Sequence, residues 1–415
     1  HGSQNQIWPK IGRKDTADMT TNDWSFAVGY RFPLIFTRDA FAVDNPVLAD
    51  VMVPSHDAPD ARAIVYLDSA LTANRPNIIR DIHAWFGAQA PRRLCLAATP
   101  EIIDGGEIAK RDLLVVERVA KTSVDSGLCR HSYVVIVGGG AVLDAVGFAA
   151  SLIHRGLRQV RLPTTTLSQC DAGLGVKNAV NLFGIKNLIG TFTPPWAVID
   201  DARFLESQDE RTWRAGIAEA IKVAIIADAA FFDELCDIAG QLGRRDQSSL
   251  ERVVRRCAEL HLNHITASGD PFEQGSSRPL DYGHWSAHRL ENLSRHRLQH
   301  GEAVAIGIAL DSLYAAQIGR ISHAAAMRIL GLLRVIGFKL WDPCLDLRDR
   351  DGRRQLYAGL TQFREHLGGR LTLAMPEGIG RRRDVFEFQE SEYEIAILQL
   401  KKSRRSPTLP VPSIS

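Results

Sequence analysis

The sequence predicts an α/β domain built on a parallel, dinucleotide-binding sheet, followed by a mainly helical domain, within 415 residues. Three observations lead there. Between residues 62 and 203, near-continuous apolar runs alternate with amphipathic segments, the pattern of parallel strands covered by helices on both faces. Three glycines, Gly138 to Gly140, stand between one such run and a helical segment. After about residue 205 the strand-like runs stop, and apolar residues recur at helical spacing.

In chain order, residues 1–61 form an extension. Its initial "HGS" has the look of an expression-tag scar, "WSFAVGYRFPLIFTRDAF" offers strands, and "DNPVLADVM" offers a turn into a short helix. "ARAIVYLDSAL" reads as a buried strand ending in a turn and "RRLCLAAT" as a second strand. "SYVVIVGGGAVLDAVGFAASLI" reads as strand, glycine turn and helix, and "VRLPTTTL" and "WAVIDD" as further strands. Residues 204–400 form the second domain, with helices expected over 211–240, 246–268, 283–293, 300–318 and 322–336. The Pro- and Ser-rich tail, 401–415, is predicted to be disordered.

Composition narrows the function classes. An apolar fraction of 45% with 24% charged residues is that of a soluble globular protein. Net charge is +2, with basic residues spread along the chain, which argues against nucleic acid as a partner. No apolar run approaches the roughly 18 residues that span a bilayer, and no signal peptide opens the chain, so a cytoplasmic protein without a membrane partner is expected. The cysteines at 95, 129, 170, 236, 257 and 344 show no CxxC spacing and read as reduced core residues. A metal would have to be held by histidine and carboxylate.

The glycine turn suits a pyrophosphate, because the backbone can approach closely and the helix N-terminus favours negative charge. The spacing is not GxGxxG, and glycines at such turns are often purely structural. The neighbourhood strengthens the nucleotide reading. Asp68 ends the first strand, Glu107 and Lys110 follow the second, and Thr164, Thr165 and Asp171 follow a later one. All would cluster at the carboxyl ends of parallel strands. NAD fits better than ATP, since no GxxxxGK[ST] loop is present.

The second half holds "DYGHWSAHRLENLSRHRLQHGEAVAIG". His284 and His288 are four apart, on one face of a helix, and His300 opens the next. In "WRAGIAEAIKVAII", Glu219 and Lys222 share a helix whose other residues are almost all apolar. Burying these charges is costly without partners, and a metal and an anionic substrate would be such partners. Taken singly, each feature has a plainer reading. Glu219 and Lys222 could be a surface pair, His288 a hydrogen-bonded core residue, and Arg295 and His296 solvated loop residues.

Together, "VGGGAVLDAVGFAASLIHRG", "LPTTTLSQCDAGLGVKNAVNLFGIKNLIGTF", "RAGIAEAIKVAII", "DYGHWSAH" and "HGEAVAIGIALD" resemble the sugar phosphate cyclases, the family of 3-dehydroquinate synthase, over residues 62 to 340. The resemblance implies an NAD-binding domain, a helical metal-binding domain and a homodimer. By position it implies Glu219, His284 and His300 as ligands of Zn2+ or Co2+. Asp68, Glu107, Lys110, Gly139, Gly140, Asp144, Thr164, Thr165 and Asp171 would line NAD. Lys177, Lys186, Asn187 and Lys222 would face the substrate and its phosphate, Lys186 bordering the cofactor. His288 matches a histidine of proton transfer, and Arg155 an arginine reaching into the neighbouring subunit's site.

The chain departs from dehydroquinate synthase at Asp281, where that enzyme carries Asn, and at "GHWSAHR", where it reads "GHTxGHA". A Lys-Lys pair near the C-terminal end is replaced by "FREHLGGRLT", with His366. Loss of fixed positive charge implies a substrate without a carboxylate. The motifs resemble the branch that cyclises sedoheptulose 7-phosphate, the 2-epi-5-epi-valiolone synthases. The implied cycle runs through alcohol oxidation by NAD, phosphate loss, reduction by the same cofactor, and an intramolecular aldol step. The alternatives carried forward are a 3-dehydroquinate synthase, an NAD- and metal-dependent polyol dehydrogenase, and a catalytically silent relative.

Overall fold

The structure, a computed structural model, describes residues 24–183, 185–267, 270–272, 279–366 and 369–404. The "HGS" start, the tail from 405 and the side chain of His366 lie outside the described parts. Of the stretch 24–41 read as offering strands, residues 24–31, which belong to a separate unit, carry none, while Leu34–Thr37 forms one. All that follows concerns the unit beginning at Phe32.

The main sheet is parallel throughout. Its strands are β1 (Leu34–Thr37), β2 (Ala61–Asp68), β3 (Leu94–Leu96), β4 (Glu101–Ile103), β5 (Tyr133–Gly138), β6 (Arg158–Pro163) and, after a separate hairpin of β7 (Lys177–Leu182) and β8 (Ile185–Phe192), β9 (Ala197–Asp201). The order is β1-β9-β6-β5-β2-β3, with β4 also pairing β2. The edge is split: β3 pairs the start of β2 and β4 its end. Along β2, Ala63, Val65 and Leu67 pack on one face, and Ile64 and Tyr66 on the other. Burial on both faces explains why these strands read as continuous apolar runs.

The β7–β8 hairpin is antiparallel and was not expected as strands, because β8 is mostly exposed and lacks an apolar stripe. Arg161 of β6 ties this region to the sheet. Buried itself, it donates to Gly175 O (2.6 Å) and Asn178 Oδ1 (2.7 Å), fixing the segment that carries Asp171 and Lys177.

Beyond Asp201 the chain is mainly helical. The expected run 211–240 is broken into Glu210–Ala215, Ile217–Ala227, Ala229–Asp237 and Ala239–Gly243. Asp228 makes one break by capping the next helix, its side chain accepting from Phe231 N. The helices Gln247–Ala267, His284–Leu293, His300–Gln317 and His323–Ile336 match expectation to within a residue or so. Strands do not stop after 205: β10 (Leu373–Pro376) and β11 (Arg382–Val385) form a short antiparallel hairpin. The last described helix, Glu390–Ser403, runs past the expected start of a disordered tail at 401. The six cysteines are free, but Cys129 is exposed rather than in the core. Among the described residues no helix is long and apolar enough to cross a membrane.

Two features fix the imidazole-bearing helices. Gly283, in the left-handed region at φ 78°, precedes His284, and a Cβ on Gly307 would lie 2.0 Å from Gly283 O, so only glycine permits this approach. Beneath it, Asp311 accepts hydrogen bonds from Gly283 N (3.1 Å), Trp285 Nε1 (3.2 Å) and the Tyr393 hydroxyl (2.9 Å), joining three helices.

Burial raises the pKa of Asp311 from 3.8 to about 7, against the opposing effect of those bonds. The folded state therefore binds this proton more tightly than the unfolded chain. The stability so contributed is complete below about pH 4 and is lost as the pH rises to about 7. Asp311→Asn, neutral at every pH, should flatten the pH dependence of the melting temperature across this window. Thermal melts at intervals between pH 4.5 and 7.5 check it, and an unchanged slope refutes it.

Candidate active site

Glu219 lies in the helix Ile217–Ala227, ten of whose eleven residues are buried. It is 0% exposed and Lys222 only 1%, which excludes the surface-pair reading. Lys222 Nζ approaches Glu219 Oε2 at 2.5 Å and donates to Asp171 Oδ2 at 3.3 Å. The expectation that each charge needs an outside partner is thus corrected in part, since they partner each other. Yet the ammonium lies off the direction of a hydrogen bond, and both carboxylate oxygens of Glu219 remain without one.

Two imidazoles face that carboxylate. His284 Nε2 lies 3.6 Å and His300 Nε2 3.4 Å from Glu219 Oε1. His284 Nδ1 stands 3.1 Å from Tyr282 O, and His300 Nδ1 stands 3.1 Å from Glu291 Oε1, so both Nε2 atoms are turned inward. One ligand atom from each of Glu219, His284 and His300 falls within 4.8 Å of the others. Two nitrogens and one oxygen with no thiolate suit Zn2+ or Co2+ in an open, catalytic type of site. The orphaned Glu219 oxygens fit the same ion.

The charges agree. Burial opposes ionisation of Glu219, but Lys222 and His284 outweigh it and hold the carboxyl well below its usual range. Burial would lower His300, but Glu219 and Glu291 outweigh it and raise it to about 9. In the protein alone a proton on His300 balances the carboxylates, and a divalent cation would displace it. His288 belongs to the same cluster, its ring 5.5 Å from that of His284 and 5.9 Å from that of His300. It is exposed yet crowded by protein atoms. That crowding, with the two neighbouring imidazoles, holds it neutral, well below the usual histidine range.

Across the cleft, strand ends gather the other predicted residues. Gly139 follows β5 and caps the helix Gly140–Leu152. A Cβ on Gly140 would lie 2.9 Å from that of Ala172, so a side chain at that position would force a shift. Asp68 commits Oδ1 to Ala70 N (2.9 Å) and Oδ2 to Gly139 N (3.2 Å), clamping the turn rather than standing free. Thr164, beside Thr165, donates its amide to Gly138 O at 3.0 Å. Lys110 Nζ, buried, bonds Asp144 and Asn187, each at 2.5 Å. Asn187 is thereby drawn to the cofactor-side residues rather than to the substrate lysines. Glu107 Oε2 accepts from Asn181 (2.9 Å), and its Oε1 lies 3.4 Å from Lys186 Nζ. Asp281 precedes the His284 helix; burial would lower Lys222, but Glu219 and Asp171, with a smaller contribution from Asp281, raise it above its usual range. Arg155 lies exposed in a surface turn with φ 64°, apart from the cluster.

Two residues of the site escaped sequence reasoning. Glu291, 5% exposed, holds His300 and also faces Lys186 at 3.6 Å. Burial would raise its pKa, but His300 and Lys186 bring it down to about 2. Its spacing from His284 and His288, seven and three residues, was the available signal. His261 of the helix Gln247–Ala267 lies 3.6 Å from Asp171 and sat unnoticed on an apolar face.

Carboxylates that orient metal-binding histidines tune affinity strongly. Glu291→Gln, which keeps the shape, should weaken zinc binding by roughly 10–100-fold. Competition with a chromophoric chelator measures it, and wild-type affinity would rule the role out.

Comparison with known proteins agrees with this geometry. The 3-dehydroquinate synthase N-terminal model matches residues 101–215, and the C-terminal model residues 216–351. The 2-epi-5-epi-valiolone synthase of Streptomyces glaucescens is 35% identical over 294 residues, 71% of this chain and 74% of that protein. The 3-dehydroquinate synthase of Pelobacter propionicus is 39% identical over 231 residues, 55% of this chain and 63% of that protein. Among solved structures, ValA, the 2-epi-5-epi-valiolone synthase of Streptomyces hygroscopicus subsp. jinggangensis with NAD+ and Zn2+ bound, superposes with a TM-score of 0.79 at 29% identity. The alignment covers 92% of this chain and 99% of that one. A probable glycerol dehydrogenase from Sinorhizobium meliloti shares the fold at 19% identity and a TM-score of 0.52, covering 91% of this chain and 100% of its own. With both halves matched in order and the metal-suited cluster in place, the chain belongs to the 3-dehydroquinate synthase family, the sugar phosphate cyclases.

Proposed function

We propose that the chain is an NAD- and metal-dependent cyclase of sedoheptulose 7-phosphate, releasing phosphate and forming 2-epi-5-epi-valiolone or a stereoisomeric C7 cyclitol. The observation that carries the reading is the buried carboxylate of Glu219, facing His284 and His300 beside Lys222, which also reaches Asp171. Relatives named for this activity, and the bound NAD+ and Zn2+ of one of them, support it.

Glu219, His284 and His300 would hold the metal, and Gly139, Gly140, Thr164 and Thr165 would border NAD. When bound, the metal lowers the pKa of a substrate hydroxyl, and NAD supplies an acceptor and then a donor of hydride. His288, neutral and exposed, is suited to accept a proton from carbon or hydroxyl and return it. Lys177 and Lys222 supply positive charge for the phosphate and its departure. Asp171, whose carboxyl Lys222 holds below its usual range against the effect of burial, stays ionised to accept from a hydroxyl. Asp281, an acid beside Lys222, disfavours a second carboxylate there, which separates this reading from that of a 3-dehydroquinate synthase. The identity to 3-dehydroquinate synthases keeps the latter as the second reading. A homodimer is part of the proposal, with the exposed Arg155 reaching the partner's cleft.

Incubation with sedoheptulose 7-phosphate, NAD and Zn2+ should release phosphate and a cyclic product seen by NMR, with no net NADH. Net NADH would indicate a polyol dehydrogenase, and turnover of the seven-carbon acid phosphate alone a 3-dehydroquinate synthase. Glu219→Gln should abolish metal retention and phosphate release together; full activity in the metal-free variant refutes the site. Asp281→Asn should lower turnover of sedoheptulose 7-phosphate at least tenfold, a loss of about 1.4 kcal/mol in transition-state binding, and unchanged kcat/KM would refute its role in specificity.

A further inference from the structure

The helix Gln247–Ala267 packs against both the turn Ser168–Ala172, which carries Asp171, and the helix that carries Glu219 and Lys222. His261 is its one imidazole buried at that junction, 5% exposed and on the same face as Val254, Cys257 and Ala258. Its Nδ1 stands 3.6 Å from Asp171 Oδ1, beyond hydrogen-bond reach, and has no hydrogen-bond partner. A histidine kept for packing alone would be expected to bond a nearby backbone group. This one turns a buried, unanswered nitrogen toward a carboxylate of the cleft.

Burial is the largest influence on the ring. Asp171 opposes it, while the charges of Lys222 and Lys177 reinforce it and Glu219 opposes it weakly, leaving the imidazole neutral, below its ordinary range. A neutral imidazole offers one donor and one acceptor. That pairing matches a hydroxyl, which both donates and accepts, whereas a phosphate is better met by the lysines.

We propose that His261 contacts the substrate, its ring hydrogen-bonding a hydroxyl of the polyol chain beside Asp171 and so helping to select which sugar phosphate is accepted. The proposal rests on the sugar phosphate reading of the site. A pocket that hydrogen-bonds a hydroxyl rejects ligands lacking it far more strongly than an apolar pocket rejects a changed methylene.

The test compares His261→Leu, of similar bulk but without polar atoms, and His261→Gln, which retains them, with the wild type, each loaded with Zn2+ and NAD. Calorimetry with sedoheptulose 7-phosphate should show binding weakened by about 10–100-fold in His261→Leu and partly restored in His261→Gln. KM should rise more than kcat falls, with melting temperature, zinc affinity and NAD affinity close to wild type. Wild-type affinity in His261→Leu overturns the proposal. So does an equal loss of zinc or NAD affinity, which would mark a structural role. Phosphate release by the wild type tests the cyclase reading separately. If the wild type binds the sugar phosphate without turning it over, the cyclase reading falls, and His261 is judged by the binding difference alone. Absence of wild-type binding overturns both.

Discussion

A carboxylate with no water around it governs this molecule. Glu219 is surrounded by apolar side chains of its own helix, and such a group would normally take up a proton or unfold its surroundings. It is held ionised by Lys222 one turn along and by the imidazoles of His284 and His300. Those imidazoles arrive on two other helices, so the carboxylate requires three helices to meet at one point. The close approach at Gly283 and Gly307 and the Asp311 network beneath them are the means by which they do. The helical half is therefore arranged around a charge whose unfilled hydrogen-bonding capacity is the opening for a metal.

The parallel sheet solves a different problem. Its strands all end on the same edge, so Asp68, Gly139 and Thr164 arrive together without any long-range pairing of side chains. The chain then uses Arg161 to pin the segment 171–177 to that edge. Asp171 consequently faces Lys222 across the two halves. This short bridge, with Lys186 between Glu107 and Glu291, supplies two charged ties across the cleft.

The parts legible in the sequence were those where periodicity and chemistry coincide. Buried parallel strands and the long amphipathic helices announced themselves by their apolar spacing, and Glu219 stood out as an acid in an apolar helix. The β7–β8 and β10–β11 hairpins did not, because the first is exposed along β8 and the second has only four residues in each strand. Breaks at Gly216 and Asp228 were hidden because the apolar period continues through them. Glu291 and His261 were missed for opposite reasons. Glu291 lay among many surface-type charges, and His261 had the look of an ordinary core histidine. Helical spacing from His284 and His288 was the one signal for Glu291, whereas His261 becomes visible only through its contact with Asp171, ninety residues away.

Laid end to end, the charged groups alternate: Glu107, Lys186, Glu291, His300, Glu219, Lys222, Asp171. Each link is an approach of 2.5 to 3.6 Å. In a poorly solvated cleft such a chain is stable only while each member is balanced by its neighbours, so removing one leaves two unbalanced. Effects of substitution along it will therefore not add, and double-mutant cycles are the proper measure of any single link. The same alternation couples the centre: a change of charge at Glu219 would be felt at His300 and Glu291 and, through Lys186, at Glu107. The sheet half and the helical half are thereby joined electrostatically as well as by the fold.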